Sequence, residues 1–410
     1  MRKPVLIQLY KLPLDFFSLP SDAERLAAIE ACTVKAEARA ASQRELPPMT
    51  FFEQLQVILY CSLLATPLLM IGAVACCLLF GYWRSLGIVA VVSITLMLQP
   101  LPHQPSTRRG QIGILLCRYF AIEFCVDRES PGVPLSGIGG TRALNTLLAA
   151  ADAGQTDVVG VDETPGQQQA MTDPSSSSSS SSSRVVIGGP MINMACPHGV
   201  MNFGAVVFCY FSRWLVGSDQ VTAVAGAVQV TPGLRQFAAP IWPVGASREE
   251  LSALLQRKKV IGIIPDGING IFARKSDGSA GGDAVVVGPK RGLMRLALEH
   301  GALIMAAYFV GTLGVYTVWQ DRWGVLRYLS RKSRCSLFLF YGRWGLPVPR
   351  RQPITAVVAF TPPPPDAPLA SPTAEQLDAH HKQVYGGLAQ AYAASRGVLG
   401  LPEEATLLIR

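Results

Sequence analysis

Charge is what this sequence has least of. Asp, Glu, Lys and Arg make up 16% of its 410 residues, against roughly 25% in an ordinary soluble domain, while hydrophobic residues reach 49%. So few charges require an apolar surrounding for part of the chain. Several enzyme signatures are missing as well. Without G-x-S-x-G there is no nucleophile elbow, and without G-x-x-x-x-G-K-[ST] or H-E-x-x-H there is neither a P-loop nor a zinc-protease helix. Ser136-Gly137-Ile138-Gly139-Gly140 lacks the third glycine of a dinucleotide loop. The nine cysteines are odd in number and contain no C-x-x-C. They read as reduced, buried small residues, which argues against a disulfide framework and against zinc.

The apolar excess is concentrated. Leu55 to Phe80 is an uncharged run of 26 residues, and about 20 suffice to cross a bilayer core. It starts too late, behind too polar a leader, for a cleaved signal peptide. After Gly81-Tyr82-Trp83-Arg84-Ser85, a further 13 uncharged residues run from Leu86 to Leu98. A pair of tight transmembrane helices and a single span with a re-entrant piece both fit; a buried helical hairpin of a soluble protein is the alternative. Tyr82, Trp83 and Arg84 suit a membrane interface. So little apolar sequence argues against a monomeric channel or transporter.

The rest divides by composition. Residues 1–50 form a polar N-terminal segment, with a helix predicted from Ser21, its N-cap, to about Ser42. Residues 51–100 are the membrane hairpin. Residues 101–130 follow as a juxtamembrane stretch with an amphipathic helix from Ile112 to Phe124. Residues 131–183 are rich in Gly, Ala and Gln and end in nine serines, Ser175 to Ser183. That composition predicts a disordered insertion. From 184 to 410, short apolar strands alternate with helices. Strands are predicted at Val185 to Ile187, Met191 to Ala195, Gln220 to Val230, Val260 to Ile264, Ala302 to Val310 and Ile354 to Phe360. Helices are predicted up to Leu215, then over Ser247 to Arg257, Leu293 to His300 and Thr373 to Ser395. This is the pattern of an α/β body on a mixed, mainly parallel sheet.

Histidine is scarce, which narrows the search for a general base. His103 lies in a Pro-rich exit from the apolar region. His380 and His381 sit on a polar C-terminal helix, and for all three solvent is expected. His300 ends a helix, where a cation complements the dipole. His198 differs, because Cys196-Pro197-His198-Gly199 joins an apolar strand to a helix, and α/β proteins build their sites in such loops. Spacing alone leaves a catalytic and a structural His198 equally open. Positive charge gathers between 251 and 351, with 16 Lys and Arg against 5 Asp and Glu. A solvated surface and an affinity for anionic headgroups or a phosphate-bearing substrate both fit. No nucleic-acid motif accompanies it, so nucleic acid is not an expected partner.

Taken in order, the blocks resemble the type-2 diacylglycerol acyltransferase family, which includes monoacylglycerol and wax-alcohol acyltransferases. Cys117-Arg118-Tyr119-Phe120 resembles its Arg-Tyr-Phe stretch, and Cys196-Pro197-His198-Gly199 through Ala205 its histidine block. Thr231-Pro232-Gly233-Leu234-Arg235 with Trp242-Pro243-Val244 resembles its Pro/Arg block. Lys290-Arg291-Gly292-Leu293-Met294-Arg295 through Ala302, Tyr341-Gly342-Arg343-Trp344-Gly345 and Arg350-Arg351-Gln352-Pro353 resemble later ones. Three departures stand out. Cys196 replaces the first histidine of H-P-H-G. Gly270 replaces the glutamate that closes a Gly-Gly segment, with Asp266 the nearby carboxylate. Phe203 occupies the position of aspartate in the glycerolipid acyltransferase pattern.

The resemblance implies a membrane-anchored acyltransferase body with an N-terminal transmembrane helical hairpin. Its implied reaction is acyl transfer from fatty acyl-CoA to diacylglycerol, giving triacylglycerol, at the endoplasmic reticulum membrane. Lipid-droplet association and homo-oligomerisation stay open. The alternatives are a monoacylglycerol or long-chain alcohol acceptor, or an inactive lipid-associated member. A thioester is already activated, so no metal or redox cofactor is called for. His198 is the expected base, with Gly199, or else Arg343, at the oxyanion; a covalent Cys196 acyl-enzyme is the rival, since thioester exchange suits a thiolate. Pro197, Cys196 and Asn202 are expected to line the substrate site, and Lys290, Arg291 and Arg295 to hold CoA phosphates.

Overall fold

A computed structural model describes residues 4–35, 46–99, 110–126, 190–271, 284–286, 291–319, 321, 323–333 and 338–410. The serine-rich insertion, the strand expected at Val185 to Ile187, His103 and Lys290 lie outside the described residues.

The body is built on strands β1 (Val5–Ile7), β2 (Thr33–Lys35), β3 (Glu123–Val126), β4 (Met191–Cys196), β5 (Gln220–Val224), β6 (Pro243–Gly245) and β7 (Val260–Ile263). The remaining strands are β8 (Ala284–Val286), β9 (Leu303–Val310), β10 (Thr317–Val318), β11 (Phe340–Tyr341), β12 (Thr355–Thr361) and β13 (Leu407–Ile409). Nine of them form one sheet in the order β2-β1-β3-β12-β9-β4-β7-β5-β6. From β9 through β4, β7, β5 and β6 every pairing is parallel. The β1–β2, β1–β3 and β12–β9 pairings are antiparallel, so the sheet is mixed and mainly parallel.

The central strands are apolar on both faces because both are covered. Met191 and Ala195 of β4 join Leu303, Met305, Ala307 and Phe309 of β9 in one core. Ile192, Met194 and Cys196 join Ile304, Ala306 and Tyr308 in the other. This is the period of two that a pleated strand imposes. The main helices are α1 (Asp22–Ala31), α2 (Phe51–Ser62), α3 (Thr66–Leu79), α4 (Trp83–Leu98), α5 (Gly110–Tyr119) and α6 (Phe203–Val216). After them come α7 (Arg248–Gln256), α8 (Gly267–Ile271), α9 (Arg291–His300), α10 (Val325–Ser333) and α11 (Ala374–Ala394). Helices α5 and α6 contribute to the first core and α7, α9 and α11 to the second.

Four expectations need correction. The strand expected over Gln220 to Val230 ends at Val224, and Gly226–Val230 is a short helix. The first helix keeps its Ser21 cap, whose side chain accepts from the Glu24 N–H, but ends at Ala31. Thr33 and Val34 then pair with β1, because a β-branched residue packs better on a strand than in a helix. The helix expected to reach Phe124 stops at Tyr119, and Glu123 to Val126 pair with β12 instead. His380, expected in solvent, is buried. It shares a face of α11 with Leu377, Val384, Leu388 and Ala391, the spacing that turns one side of a helix to a sheet. Burial pushes its imidazole pKa down.

Helices α2 and α3 run together as the stretch Phe51–Leu79, long and apolar enough to cross a membrane; Trp83–Leu98 is shorter. Among the described residues there is therefore one candidate span where the sequence suggested a pair. Large side chains along both, among them Leu69, Ile71, Leu79, Ile88, Val91 and Leu98, are exposed. The Pro/Arg block docks this region onto the body. Arg235 donates to the Gln99 carbonyl and Gln236 to the Leu96 carbonyl, each at 2.6 Å. A Cβ at Gly233 would overlap Thr66, so a glycine there permits the close approach.

Candidate functional site

Parallel neighbours bring their carboxyl ends to one edge of a sheet. Strands β7, β4 and β9 are such neighbours, and the loops that leave them carry Asp266, His198 and Thr312. All three loops meet around His198. Its backbone N–H donates to Asp266 Oδ2 at 2.9 Å. Gly199 packs beside Thr312 and Leu313, whose side chains would lie 3.5 Å from a Cβ at that position.

The turn holds its imidazole locally. His198 Nδ1 lies 2.9 Å from the Gly199 carbonyl oxygen. A carbonyl only accepts, so this contact selects the tautomer with the proton on Nδ1 and leaves the Nε2 lone pair free. Gly199 adopts φ +55, in the left-handed region where a side chain is strained. The glycine requirement is thus set by backbone conformation rather than by space.

Asn202 fixes the other end of the loop. It is fully buried, its Nδ2 donates to the Pro197 carbonyl at 3.0 Å, and its Oδ1 accepts from the Ala205 N–H at 3.0 Å. Both ends of its amide are therefore committed to the loop and to the first turn of α6, which makes it a bracket. Pro197 is buried in the same turn. Cys196, the last residue of β4, is 1% exposed, and burial, with Asp266 adding to it, pushes its thiol far up. Such a thiol is a poor nucleophile.

The Arg-Tyr-Phe stretch at the end of α5 ties the site to its surroundings. Arg118 pairs with Glu53 of α2 at 3.1 Å, Tyr119 donates from its hydroxyl to the Pro349 carbonyl at 2.8 Å, and Phe120 stacks on Phe203 with ring centroids 4.6 Å apart. Phe203 is fully buried, so the position that carries aspartate in the glycerolipid pattern is here a core position.

The expected basic residues scatter. Arg291 begins α9, which runs back into the amino end of β9, so its own first turn lies at the edge where β4 ends. Its guanidinium pairs with Asp378 of α11 at 2.8 Å and is largely exposed. Arg295, one turn on, is half-buried. Arg343 lies over the Trp344 ring at 4.4 Å and interacts with the Tyr119 phenol. Among the described residues, no hydrogen bond or ion pair joins it to the His198 loop.

Asp266 and Thr312 are what the sequence reading underweighted. Asp266 was legible as a carboxylate in a Pro-Asp-Gly turn after a buried strand. Its contact with His198 depends on β4 and β7 being adjacent, which no local pattern states. Thr312, 2% exposed, begins the short helix Thr312–Val315 after β9 and carried no signal.

Comparison with known proteins bears on the same region. A family profile described as diacylglycerol acyltransferase matches residues 191–410, from the first residue of β4 to the end of the chain. Diacylglycerol O-acyltransferase 2 of Bos taurus is 28% identical over 245 residues, covering 52% of this chain and 62% of that protein. A 2-acylglycerol O-acyltransferase 1 of Bos taurus is 26% identical over 230 residues, covering 52% and 68%. The chain thus spans less than two-thirds of the length of the first of these relatives. A solved 1-acyl-sn-glycerophosphate acyltransferase from Thermotoga maritima overlaps 49% of this chain and 66% of its own at 12% identity and a TM-score of 0.28, too slight a likeness to carry an argument.

Proposed function

Since the chain belongs to the diacylglycerol acyltransferase family, we propose that it transfers a fatty acyl group from acyl-CoA to the free hydroxyl of diacylglycerol, with His198 as general base. The observation that carries this reading is the state of His198. Its ring stands on a tight turn at the carboxyl edge of a parallel sheet, with Nδ1 held by the Gly199 carbonyl and Nε2 left to accept a proton.

The chemistry follows from that atom. Nε2 removes the proton of the lipid hydroxyl as its oxygen attacks the thioester carbonyl. The negative charge that develops on the carbonyl oxygen needs donors in place beforehand; the backbone N–H groups of the Gly199 turn are the candidates, and Arg343, engaged with Trp344 and Tyr119, is the weaker one. The tetrahedral intermediate collapses by breaking the C–S bond, and the departing thiolate of CoA recovers the proton from the imidazolium. Arg291 and Arg295 are proposed to hold CoA phosphates, as the first turn of α9 lies at the reacting edge and guanidinium groups suit phosphate. Cys196, Pro197 and Asn202 shape the turn beneath.

The membrane is the second part of the proposal. Its support is the apolar stretch Phe51–Leu79 and the helix Trp83–Leu98, which buries none of its residues in the body. Trp319, Trp323 and Trp344 are exposed too, and Trp is favoured at headgroup level. We place the protein at the endoplasmic reticulum membrane, where a diacylglycerol substrate is dissolved. The full chain is expected to stay in the pellet when membranes are extracted with alkaline carbonate; release into the supernatant would remove the spanning assignment.

The reaction is tested by supplying labelled acyl-CoA with diacylglycerol to membranes from a host without neutral-lipid synthesis of its own. Labelled triacylglycerol above the level of the empty host is the expected result. The 2-acylglycerol relative favours monoacylglycerol as the second acceptor to try, and long-chain alcohol completes the set. No product from any of the three would leave an inactive lipid-associated protein.

A further inference from the structure

We propose that Asp266 is a positioning residue that holds the His198 turn and balances the charge of its ring during the reaction, and that Gly270 is the residue that makes room for it. The inference rests on His198 being the base. Two departures from the family pattern, the loss of the glutamate at 270 and the presence of an aspartate at 266, are on this view a single exchange. Asp266 immediately precedes α8 and Gly270 lies four residues on, a spacing that puts two positions on one face of a helix. A Cβ built at Gly270 would overlap the Asp266 carboxyl group and come within 3.0 Å of its Cβ. The volume a side chain at 270 would fill is therefore already taken by the carboxylate of 266. A carboxyl group reaches this point from one position or from the other, but not from both.

The environment of that carboxylate fits a working role better than a purely structural one. Asp266 is 4% exposed. Oδ2 accepts the His198 N–H, whereas Oδ1 is buried with no hydrogen-bond partner among the described residues. Buried polar atoms are almost always paired, so an unpaired one calls for an explanation, and a catalytic role is one that the His198 contact supplies. Burial raises the pKa of the acid above the ordinary carboxylate range, and the His198 ring and its backbone N–H offset this only in part. The other groups that face it are the Cys196 thiol from β4 and the Tyr385 phenol from α11. Burial pushes both of these up, so they stay protonated at neutral pH. From α10, which packs on α8, Lys332 is exposed to solvent. Asp266 is thus the acid of this cluster, held on the His198 backbone N–H, and its charge interacts with the ring that becomes an imidazolium when the hydroxyl proton is taken.

The test is Asp266→Asn, in which the side-chain oxygen still accepts the His198 N–H but the charge is gone. The expected result is a fall in kcat of about 10- to 100-fold with KM little changed, together with an acid limb of the kcat/KM profile moved to lower pH. The sign follows from the charge: without the neighbouring anion the protonated ring is less favoured, so the base stays neutral to lower pH. A bracket alone would leave that limb in place. The pH dependence of diethyl pyrocarbonate modification of His198, read by mass spectrometry of its peptide, reports the same shift without turnover. The exchange itself is tested by Asp266→Gly alone and combined with Gly270→Glu. The pair should recover at least about tenfold of the activity lost in Asp266→Gly, and Gly270→Glu alone should fail through the overlap. An Asp266→Asn protein whose pH limb and labelling profile match wild type overturns the inference, as does a double variant that folds yet recovers nothing. If His198→Ala is inactive while either of these holds, the base assignment stands and only the role of Asp266 falls. If His198→Ala retains full turnover, the base assignment itself fails.

Discussion

His198→Ala is expected to lower kcat for triacylglycerol formation by about 10³-fold, within the 10²–10⁴ range of a general base, at an unchanged level of folded protein in the membrane. The effect falls on kcat because the proton moves only as the hydroxyl oxygen attacks. An interaction made in the transition state and not in the ground state lowers kcat and kcat/KM together. Folding should be spared, since the ring's hydrogen bond is to its own turn, at the Gly199 carbonyl, and its side chain is only partly buried. Single-turnover assays on membranes normalised for protein amount measure this. Wild-type rates in the variant would move the base elsewhere. Cys196 would be a poor heir, for its thiol is buried and pushed far above the range in which it ionises.

Phe203→Asp is expected to have the largest effect on stability, with melting of the detergent-solubilised protein lowered by on the order of 10 °C. The substitution would write the histidine–aspartate spacing of glycerolipid acyltransferases into this chain, and it should destroy rather than improve the enzyme. Phe203 is fully buried, stacked on Phe120 and packed edge-on against Phe237. Removing such a ring leaves a cavity, for which losses of about 3–5 kcal/mol are usual, and a carboxylate there would add the penalty of an unpaired buried charge. Phe203→Leu should melt far closer to wild type. A Phe203→Asp variant that melts within a few degrees of wild type would show that this position has access to solvent or to a partner, and would reopen that dyad.

The two outcomes bear on how this chain departs from the glycerolipid pattern. The aspartate position five residues after the histidine has become part of the core. The carboxylate next to the histidine turn comes instead from the neighbouring strand's loop. Geometry at the carboxyl edge of the sheet allows this, because β4 and β7 are adjacent and parallel, and their loops emerge side by side.

Local chemistry made much of this molecule legible from the sequence. Ser21, Ser247 and Thr373 each cap the helix predicted to start there, the side chain accepting from the third residue on, since capping needs only a few consecutive residues. The apolar runs of β4, β7, β9 and β12 announce strands covered on both faces, and the turn around His198 was conspicuous between its strand and its helix. Uncharged sequence from Leu55 to Phe80 needed no partner to be recognised as apolar helix. What the sequence left undecided depends on distant pairing. Strands β1, β2 and β3 have only three or four residues each, too few to show a period, and they exist because each has a neighbour to bond with. The burial of His380 required the face of α11 that meets β12, and the partnership of Asp266 with His198, 68 residues apart, required the order of the strands. Element type follows from contacts within a few residues of sequence; which loops share an edge is set by long-range strand pairing, and the candidate site lies at such an edge.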